Sequence, residues 1–526
     1  MKFTFAFPID SLIKRFIYPG GQLMEKNVSE MILDALKDAS VKTASALREI
    51  FGAAEAKATA PADCLTARGR IEALFDEGTF MESGKFVRRT PDELGGVGDD
   101  SFEGVICGWG SVGGKLVFAF SQDYSRTKGA LTEAQAAKIE EIYRLALENG
   151  APVIGIFDSA GALLPEGVRA LAGYSRIMSC ASKASGVIPQ IAIIPGTCAG
   201  SASVIAGMFD FIIISDTKGN VSFNAPFVLG NETAGKSEFV QKSGLAALSA
   251  KNDGECIALA KLLLSFLPMN NMEGTVEDFS RDSANRLIDI SAYTASGNSK
   301  ELIAAIADDA KYLELYSEYA KEMTVGLISL NGTVCGIVAN NKAEAGGILT
   351  AGAARKAARM ITFCDSFDIP VITILDSEGP DVSLEAEASP YAAELAKLAF
   401  AYSTAKCPMI TLIAGEAYGA HFSLMGAKAL GADVVLALDS AKIGVMSAKR
   451  AVAFLLNDKI TEDVSRSDLE AKWDSKIGTP VAAASAGEVD DIIDGSEARV
   501  RIAGALMMLS AKSKCAPSRR HTNMPL

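Results

Sequence analysis

The sequence has very little histidine and no paired cysteines, and these two absences narrow the chemistry available to it. Only His421 and His521 occur among 526 residues, which argues against a histidine-rich metal centre and against most catalytic triads. The cysteines are scattered, odd in number and never spaced as CxxC, so neither a zinc site nor a disulfide framework is predicted. They are Cys64, Cys107, Cys180, Cys198, Cys256, Cys335, Cys364, Cys407 and Cys515. We expect reduced, mostly buried thiols and no bound metal.

Long apolar runs and basic runs are also missing. The charge balance is 51 Lys+Arg against 64 Asp+Glu, and the net charge of -13 without a basic patch predicts no nucleic-acid partner. The apolar part of the N-terminal stretch MKFTFAFPID is interrupted by Pro8 and Asp10 and is too short for a secretory signal or a membrane span. These features predict a cytoplasmic protein, and residues 1–23 are interpreted as either a start-site misassignment or a disordered extension.

What the sequence does contain is a long internal repeat. Residues 188–206 (IPQIAIIPGTCAGSASVIA) return in altered form as residues 407–426 (CPMITLIAGEAYGAHFSLMG). Each stretch combines a short apolar strand, a turn of small residues and an apolar helical run. Three pairs lie 218 positions apart, Gly129 with Gly347, Pro152 with Pro370 and Asp158 with Asp376, and three lie 219 apart, Pro189 with Pro408, Gly200 with Gly419 and Gly207 with Gly426. One insertion over this length indicates a duplication rather than coincidence.

The fold class follows from the order of predicted helices and strands in each copy. A capping box at Thr132 begins a helix, Gly150 stops it, and the buried strand VIGIFDS comes next. Helices that feed buried strands predict an α/β protein with two tandem domains. We place an N-terminal extension and helical arm at 1–60, a first domain at 61–290 and a second at 291–526. Residues 457–476 are interpreted as a charged connector before a last helix.

Each copy carries two loops of small residues at strand ends. They are residues 159–163 and 199–203 in the first copy, and 377–381 and 418–423 in the second. Small residues let a carbonyl oxygen approach the backbone, where N–H donors stabilise an enolate without any titrating side chain. Two such sites would hold two reacting partners together, which favours group transfer over hydrolysis.

The side chains near these loops have competing interpretations. Asp158 and Asp376 are read as caps of the strand ends rather than acids. His421 is either a general base or, as we favour, a donor through its backbone N–H. Tyr418 is read mainly as packing. Arg519 and Arg520 are assigned to a solvated tail in preference to a phosphate site.

Several motifs together resemble one family. They are TARGRIEAL, GWGSVGGKLVFAFSQD, GAPVIGIFDSAGA, KSG, LLSFLPMNN, FCDSFDIPVITILD, AYGA and the closing NMPL. They resemble the carboxyltransferase subunits of biotin-dependent acyl-CoA carboxylases, most closely the propionyl-CoA or methylmalonyl-CoA type, over about residues 60–526. The resemblance implies two crotonase-like domains of repeated β-β-α turns, with each active site between the first domain of one subunit and the second domain of another. It implies acyl-CoA on the first copy and biotin on the second.

The resemblance also implies roles for individual residues. Carboxybiotin releases its carboxylate, the biotin urea helps to take the α-proton, and the thioester enolate attacks the carbon, while backbone N–H groups meet each oxyanion. The thioester hole falls on Gly161, Ala162, Gly200 and Ser201, and the biotin hole on Gly379, Gly419, Ala420 and His421. Substrate specificity falls on Leu163 and Ser423, and contact with the cofactor falls on Ala199 and Tyr418.

Partners follow from the same resemblance. No AMKM biotin-attachment motif occurs, so biotin is expected on a separate carrier protein. The further partners implied are a biotin carboxylase subunit or the membrane subunit of a decarboxylase, and a homo-oligomer, a hexamer or a dimer.

Departures from the family pattern keep several functions open. Leu163 replaces the Arg of SGGAR, Pro380 lies where the family reads PGF(L)PG, and Ser423 replaces the Asp of GGAYDVM. The functions considered are a carboxyltransferase, the carboxyltransferase subunit of a sodium-pumping acyl-CoA decarboxylase, a catalytically degraded CoA-binding scaffold, and another crotonase-type CoA enzyme.

Overall fold

A seven-stranded mixed sheet organises the first half of the protein. The computed structural model describes residues 64–88, 102–274, 276, 282–461 and 463–513. The strands of this half are β1 (Met81–Ser83), β2 (Val105–Val112), β3 (Lys115–Gln122), β4 (Val153–Ile156), β5 (Gln190–Ile194), β6 (Thr197–Ala199), β7 (Phe211–Ser215), β8 (Asn220–Ser222) and β9 (Leu248–Ala250). The sheet order is β1-β2-β3-β4-β5-β7-β9, antiparallel up to β3 and parallel beyond it, while β6 and β8 form a separate parallel pair.

A second sheet repeats this arrangement in the other half. Its strands are β10 (Tyr312–Leu315), β11 (Met323–Leu330), β12 (Thr333–Asn340), β13 (Val371–Ser377), β14 (Met409–Tyr418), β15 (Val434–Leu438), β16 (Lys442–Gly444) and β17 (Asp491–Ile493). The order is β10-β11-β12-β13-β14-β15-β17, and β16 pairs with the end of β14. It too is antiparallel up to β12 and parallel beyond. The predicted duplication and the tandem α/β fold are confirmed.

Helices cover the two sheets. In the first half they are α1 (Ala67–Leu74), α2 (Glu133–Asn149), α3 (Val168–Ala184), α4 (Ser201–Met208), α5 (Pro226–Leu229), α6 (Ser237–Lys242) and α7 (Asp253–Phe266). In the second half they are α8 (Ser291–Ser296), α9 (Ser299–Ile306), α10 (Ala351–Ser366), α11 (Leu384–Ala388), α12 (Tyr391–Thr404), α13 (Ala420–Leu424), α14 (Ala448–Leu455), α15 (Arg466–Lys476), α16 (Pro480–Ser485) and α17 (Ala498–Leu509). No helix of the described residues is long and apolar enough to cross a membrane.

The duplication extends to the caps of equivalent helices. The Thr132 hydroxyl accepts the Gln135 N–H at 3.0 Å before α2, and the Thr350 hydroxyl accepts the Ala353 N–H at 3.0 Å before α10. Gly150 ends α2 in the left-handed conformation with φ 58°. Such caps satisfy backbone groups that a helix end leaves unpaired. The capping box thus marked the start of α2 correctly.

The two halves share a hydrophobic core between their sheets. The largest buried apolar cluster draws side chains from both halves, and the rings of Phe211 and Phe363 meet edge to face with centroids 4.6 Å apart. Arg359 of α10 also donates to the carbonyl of Asp210 at 2.8 Å. Two smaller clusters lie on the opposite face of each sheet. The two halves are therefore held together by apolar side chains that would be exposed to water if either half stood alone.

Some boundaries differ from the sequence prediction. The predicted connector at 457–476 contains α15, because the Ser465 side chain and the Asp468 carboxylate form a capping box that begins a helix in this charged stretch. The last helix, for which the sequence predicts residues 498–512, ends at Leu509. The arm at 1–60 and the C-terminal residues Cys515, Arg519, Arg520 and His521 lie outside the described residues. The boundary at 290–291 stays a prediction.

A buried ion pair fastens α17 to the start of the second half. Arg499 and Asp308 have no exposed side-chain surface, and their charged atoms lie 2.6 Å apart. Arg499 also donates to the Ile306 carbonyl. Removing one partner of such a pair leaves the other charge buried without compensation.

We predict that Arg499→Met lowers the free energy of unfolding by about 3 to 5 kcal/mol, because the Asp308 carboxylate stays buried without its cation. Urea denaturation followed by circular dichroism measures this loss. Arg501→Met on the same helix is the control, since Arg501 is half exposed and its pair with Glu497 is screened by solvent. Equal losses in both variants would contradict the prediction.

Candidate functional site

The first copy places two loops side by side at the carboxyl ends of β4 and β5. The Leu131 N–H donates to the Gly161 carbonyl at 2.8 Å, and the Leu163 N–H donates to the Leu131 carbonyl at 3.0 Å. The Ala199 N–H donates to the Ser159 carbonyl at 3.1 Å and joins the second loop to the first. Ligands of α/β sheets bind at such strand ends. The predicted loops 159–163 and 199–203 are thus brought together.

Two backbone N–H groups of the predicted thioester hole are free to bind a ligand. The N–H groups of Ala162 and Ser201 donate to no described residue, and Ser201 is the first residue of α4. The N–H of Gly161 faces the Ser159 hydroxyl at 3.3 Å, and the N–H of Gly200 donates to the Ser222 carbonyl at 2.9 Å. Gly200 has φ 61°, which favours glycine and turns β6 into α4. Its contribution is therefore this turn.

A buried carboxylate lies beneath the first pair of loops. Asp158 accepts the Thr197 N–H at 3.1 Å and pairs with Arg70 of α1 at 2.9 Å. Arg70 also pairs with Asp253 at 2.9 Å. Burial raises the pKa of Asp158, while Arg70 opposes that shift. These bonds support the interpretation of Asp158 as a cap, because every contact holds a loop or a helix in place.

The second copy repeats this arrangement with other partners. Asp376 accepts the Glu416 N–H at 2.9 Å and the Tyr293 hydroxyl at 2.8 Å, and Lys342 lies 3.3 Å from it. A Cβ atom at Gly415 would collide with the Asp376 carboxylate, as one at Gly196 would with Asp158. The glycine before each second loop therefore makes room for the buried carboxylate.

The second pair of loops offers donors on one side only. The Leu349 N–H donates to the Gly379 carbonyl at 3.1 Å, as Leu131 does to Gly161. Pro380 occupies the place that Ala162 has in the first copy, and it has no N–H. The Gly419 N–H is taken by the Gly444 carbonyl at 3.0 Å. The N–H groups of Ala420 and His421 at the start of α13 donate to no described residue.

The His421 side chain is buried beneath these loops. Its Nε2 lies 3.0 Å from the Asn340 Oδ1, and the Asn340 amide donates from Nδ2 to the Gly347 carbonyl at 3.1 Å. Because the amide group can only accept through Oδ1, Nε2 of the imidazole carries the proton. Burial lowers the pKa of His421 to about 4. The imidazole is thus a neutral hydrogen-bond donor, and because it is fully buried it is not placed to act as a base on a substrate.

The remaining predicted residues flank the loops. The Leu163 N–H is bonded to the Leu131 carbonyl. Ser423 is exposed, with its hydroxyl donating to the Ala420 carbonyl at 3.0 Å. Ala199 ends β6, and Tyr418 is buried at the end of β14. Its burial is consistent with the interpretation that the Tyr418 side chain packs in the core.

A cavity of about 560 Å³ opens beside the start of α13. The backbone of Gly419 and Ala420 forms one wall, and apolar side chains including Phe422, Ile443 and Ile477 form the others. Glu488 also lines the cavity, and its carboxylate accepts no hydrogen bond from a described residue. The cavity suits a largely apolar ring that carries an acceptor for backbone N–H groups and a donor for the carboxylate.

Sequence reasoning missed Arg70, Tyr293, Asn340 and Glu488, and also Tyr391, whose hydroxyl accepts the Asp381 N–H at 2.9 Å. They come from helices, strand ends and loops far from the small-residue motifs, and only the fold brings them to the loops. Two of them carried a signal: Arg70 lies in the motif TARGRIEAL, and Asn340 is the counterpart of Gln122 in the repeat, whose side chain accepts the Asp158 N–H at 3.3 Å.

Comparison with known proteins settles the family. Residues 59–524 match the carboxyl transferase domain. The chain belongs to the carboxyl transferase family. This carboxyltransferase is 36% identical to the propionyl-CoA carboxylase beta chain of Roseobacter denitrificans, over 88% of this chain and 94% of that one. It is 35% identical to the methylmalonyl-CoA decarboxylase subunit alpha of Veillonella parvula, over 88% and 93%.

The fold comparison agrees with the sequence comparison. The structure of the carboxyltransferase is similar to that of transcarboxylase 12S, a hexameric assembly solved with methylmalonyl-CoA and methylmalonic acid, with TM-score 0.83 and 32% identity over 95% of this chain and 100% of that one. The crotonase-like fold and the prediction of an acyl-CoA carboxyltransferase are confirmed. The roles of individual loop residues stay predictions.

We predict that the carboxyltransferase loses stability on acidification through His421. The unfolded chain binds a proton there near pH 6.5, whereas the folded chain binds it only near pH 4, so the contribution is complete above pH 6.5 and is lost toward pH 4. The loss is roughly 3 kcal/mol. Urea denaturation at pH 7.5 and 4.5 measures it, and His421→Gln, neutral at both values, is expected to show a smaller difference. The same difference in both proteins would contradict the prediction.

Proposed function

We propose that the protein transfers a carboxyl group between carboxybiotin, carried by a separate protein, and the α-carbon of a short acyl-CoA. The observation that carries this proposal is the pair of duplicated loop sites, each with two free backbone N–H groups. Loops 159–163 and 199–203 of the first site contain no titratable side chain. Backbone donors stabilise an oxyanion at a fixed place, which is what an enolate intermediate needs. The transferred group and the base therefore have to come from elsewhere.

The first site is proposed to bind the thioester. The N–H groups of Ala162 and Ser201 would meet the thioester oxygen as it gains charge during removal of the α-proton. Asp158 and Arg70 hold the loops that carry these donors, at 3.1 Å from the Thr197 N–H and 2.9 Å from each other. The relatives named for propionyl-CoA and methylmalonyl-CoA suggest a three- or four-carbon acyl group.

The second site is proposed to bind the ureido ring of biotin. The ring's oxygen fits the free N–H groups of Ala420 and His421, its apolar body fits the cavity wall of Phe422 and Ile443, and its N–H fits the unpaired Glu488 carboxylate. When bound, carboxybiotin supplies the carboxyl group and the ring that accepts the α-proton. Because Pro380 gives no donor, this site has fewer N–H groups than the family pattern implies. A separate biotin carboxyl carrier protein is the proposed partner.

A second copy of the chain is proposed to complete each site. Apolar side chains near the loops are exposed, with Leu164 86%, Val168 75%, Val382 76% and Leu384 80% exposed. Leu164 and Val168 follow the first loop of the first copy, Val382 and Leu384 follow the first loop of the second, and exposed apolar side chains grouped beside a site favour a protein interface. The similar transcarboxylase 12S is a hexamer, and we propose a hexamer or a smaller homo-oligomer here. The cytoplasmic location stays a prediction.

A decarboxylase subunit is the second candidate function. The methylmalonyl-CoA decarboxylase subunit alpha of Veillonella parvula is 35% identical, as against 36% for the carboxylase chain, so similarity favours neither direction of transfer. In that case the carboxyl group passes from the thioester to biotin, and the partners are a biotin carrier and a membrane subunit. The site residues are the same.

We expect the purified protein to remove the carboxyl group from methylmalonyl-CoA or malonyl-CoA, with free biotin as acceptor and only when biotin is present. The assay follows the conversion of each substrate to its decarboxylated acyl-CoA by chromatography and includes glutaconyl-CoA as a third substrate. Binding of CoA is measured in parallel by calorimetry. CoA binding without turnover of any thioester would overturn the proposed transfer and favour a CoA-binding scaffold.

Exchanging one residue between the two copies tests the thioester hole. Ala162→Pro removes the free N–H without breaking a backbone bond, and Gly161 with φ 125° resembles the Gly379 with φ 130° that precedes Pro380. We expect kcat to fall about 100-fold to 1,000-fold, the usual effect of losing one oxyanion donor. The reciprocal Pro380→Ala adds a donor and should raise kcat/KM for biotin. Unchanged kcat in Ala162→Pro would exclude this hole.

A further inference from the structure

The two copies close their first loops with different bonds at one place. In the first copy, the Leu163 N–H donates directly to the Leu131 carbonyl at 3.0 Å. In the second, the Asp381 N–H donates to the Tyr391 hydroxyl at 2.9 Å, and this hydroxyl donates to the Leu349 carbonyl at 2.5 Å. A side chain thus replaces a backbone bond.

The first copy has a glycine at the matching place in its helix. Gly173 lies 218 positions before Tyr391, and a Cβ atom at Gly173 would already lie 2.9 Å from the Ala136 Cβ. Tyr391 itself is 6% exposed, and burial raises the pKa of its hydroxyl. The hydroxyl therefore stays neutral and can accept from one loop while it donates to the other.

A second side chain holds the opposite side of the same site. His421 of α13 donates to Asn340, which donates to the Gly347 carbonyl at 3.1 Å, close to Leu349 in the chain. The first copy has Ala202 at the position of His421, and its Gln122 accepts from Asp158 instead. His421, Asn340 and Tyr391 thus link α13 to the loops 346–349 and 378–381, a connection we call the second-site frame.

The helix that carries the free N–H groups is shorter in the second copy than in the first. Helix α13 has 5 residues, whereas its counterpart α4 has 8 and can make more internal bonds. The Ala420 and His421 N–H groups are at the start of this short helix, and Pro380 adds none. A small shift of α13 would therefore move both donors of the site together.

We propose that Tyr391 and His421 are positioning residues, whose side chains, with Asn340, set the loops and the first turn of α13 at the second site. The catalytic consequence of this positioning rests on the proposed function, because the proposed function assigns the biotin side of the reaction to this site. The geometric part stands on the hydrogen bonds alone. The first site, held by backbone bonds and the Arg70 to Asp158 pair, does not depend on these side chains.

The test removes one hydroxyl. Tyr391→Phe keeps the ring and its packing but breaks the two frame bonds that the Tyr391 hydroxyl makes, so amide hydrogen exchange in the full chain should accelerate at least tenfold at Leu349 and Gly379. Tyr391 makes no bond to either of these two amides. Exchange in residues 128–131 and 160–163 of the first copy should not change. Tyr312→Phe is the matched control, because the buried Tyr312 hydroxyl of the same half has no hydrogen-bond partner in the described structure.

The same variants give a kinetic readout with free biotin and methylmalonyl-CoA. We expect Tyr391→Phe to lower kcat/KM for biotin about tenfold and to leave KM for the thioester unchanged, whereas Tyr312→Phe changes neither. Unchanged exchange at Leu349 and Gly379, accelerated exchange in both copies, or equal effects on both substrates would overturn the proposal. A wild-type protein without turnover would overturn the proposed function, and the exchange data would then decide the positioning role by themselves.

Discussion

A buried carboxylate beneath each pair of loops is the interaction on which both sites depend. Asp158 lies just after β4 and Asp376 lies near the end of the equivalent strand β13, and they accept the N–H of Thr197 and Glu416 at 3.1 and 2.9 Å. A carboxylate can be buried only where other groups compensate its charge, so each requires a partner from outside the loops. The glycine that leaves room for it is a consequence of the same constraint.

The partners differ between the copies, and this difference separates the two sites. Arg70 compensates Asp158 with a buried charge and joins it to Asp253, while Tyr293 and the half-buried Lys342 serve Asp376. The first site keeps a donor on each of its two loops. The second has lost one donor to Pro380 and has gained side chains, Tyr391 and His421, that bind its loops to one another. Duplication preserved the backbone plan and let the chemistry of each copy change separately.

This arrangement explains how a carboxyltransferase can work with two histidines in the whole chain. Backbone N–H groups at a helix start are oriented by the fold and need no protonation, so they are ready before the substrate arrives. The cost is that their direction is set by loops, which move more easily than strands. The buried carboxylates, the cross-loop bonds and the second-site frame all restrain that movement. In the proposed reaction, the buried side chains around the loops therefore position the donors rather than transfer protons.

The sequence by itself determined the duplicated α/β plan, the loops and the family. Those features are local or periodic: apolar strands before small-residue turns, a capping box at Thr132, and a nearly constant offset between the two copies. Only the tertiary structure decided which N–H groups are free, because the bonds of Gly200 to Ser222 and of Gly419 to Gly444 come from neighbouring strands. It also brought Arg70 to Asp158 and Tyr391 to Asp381. Such contacts depend on how segments pack in three dimensions, and no spacing within a motif encodes them.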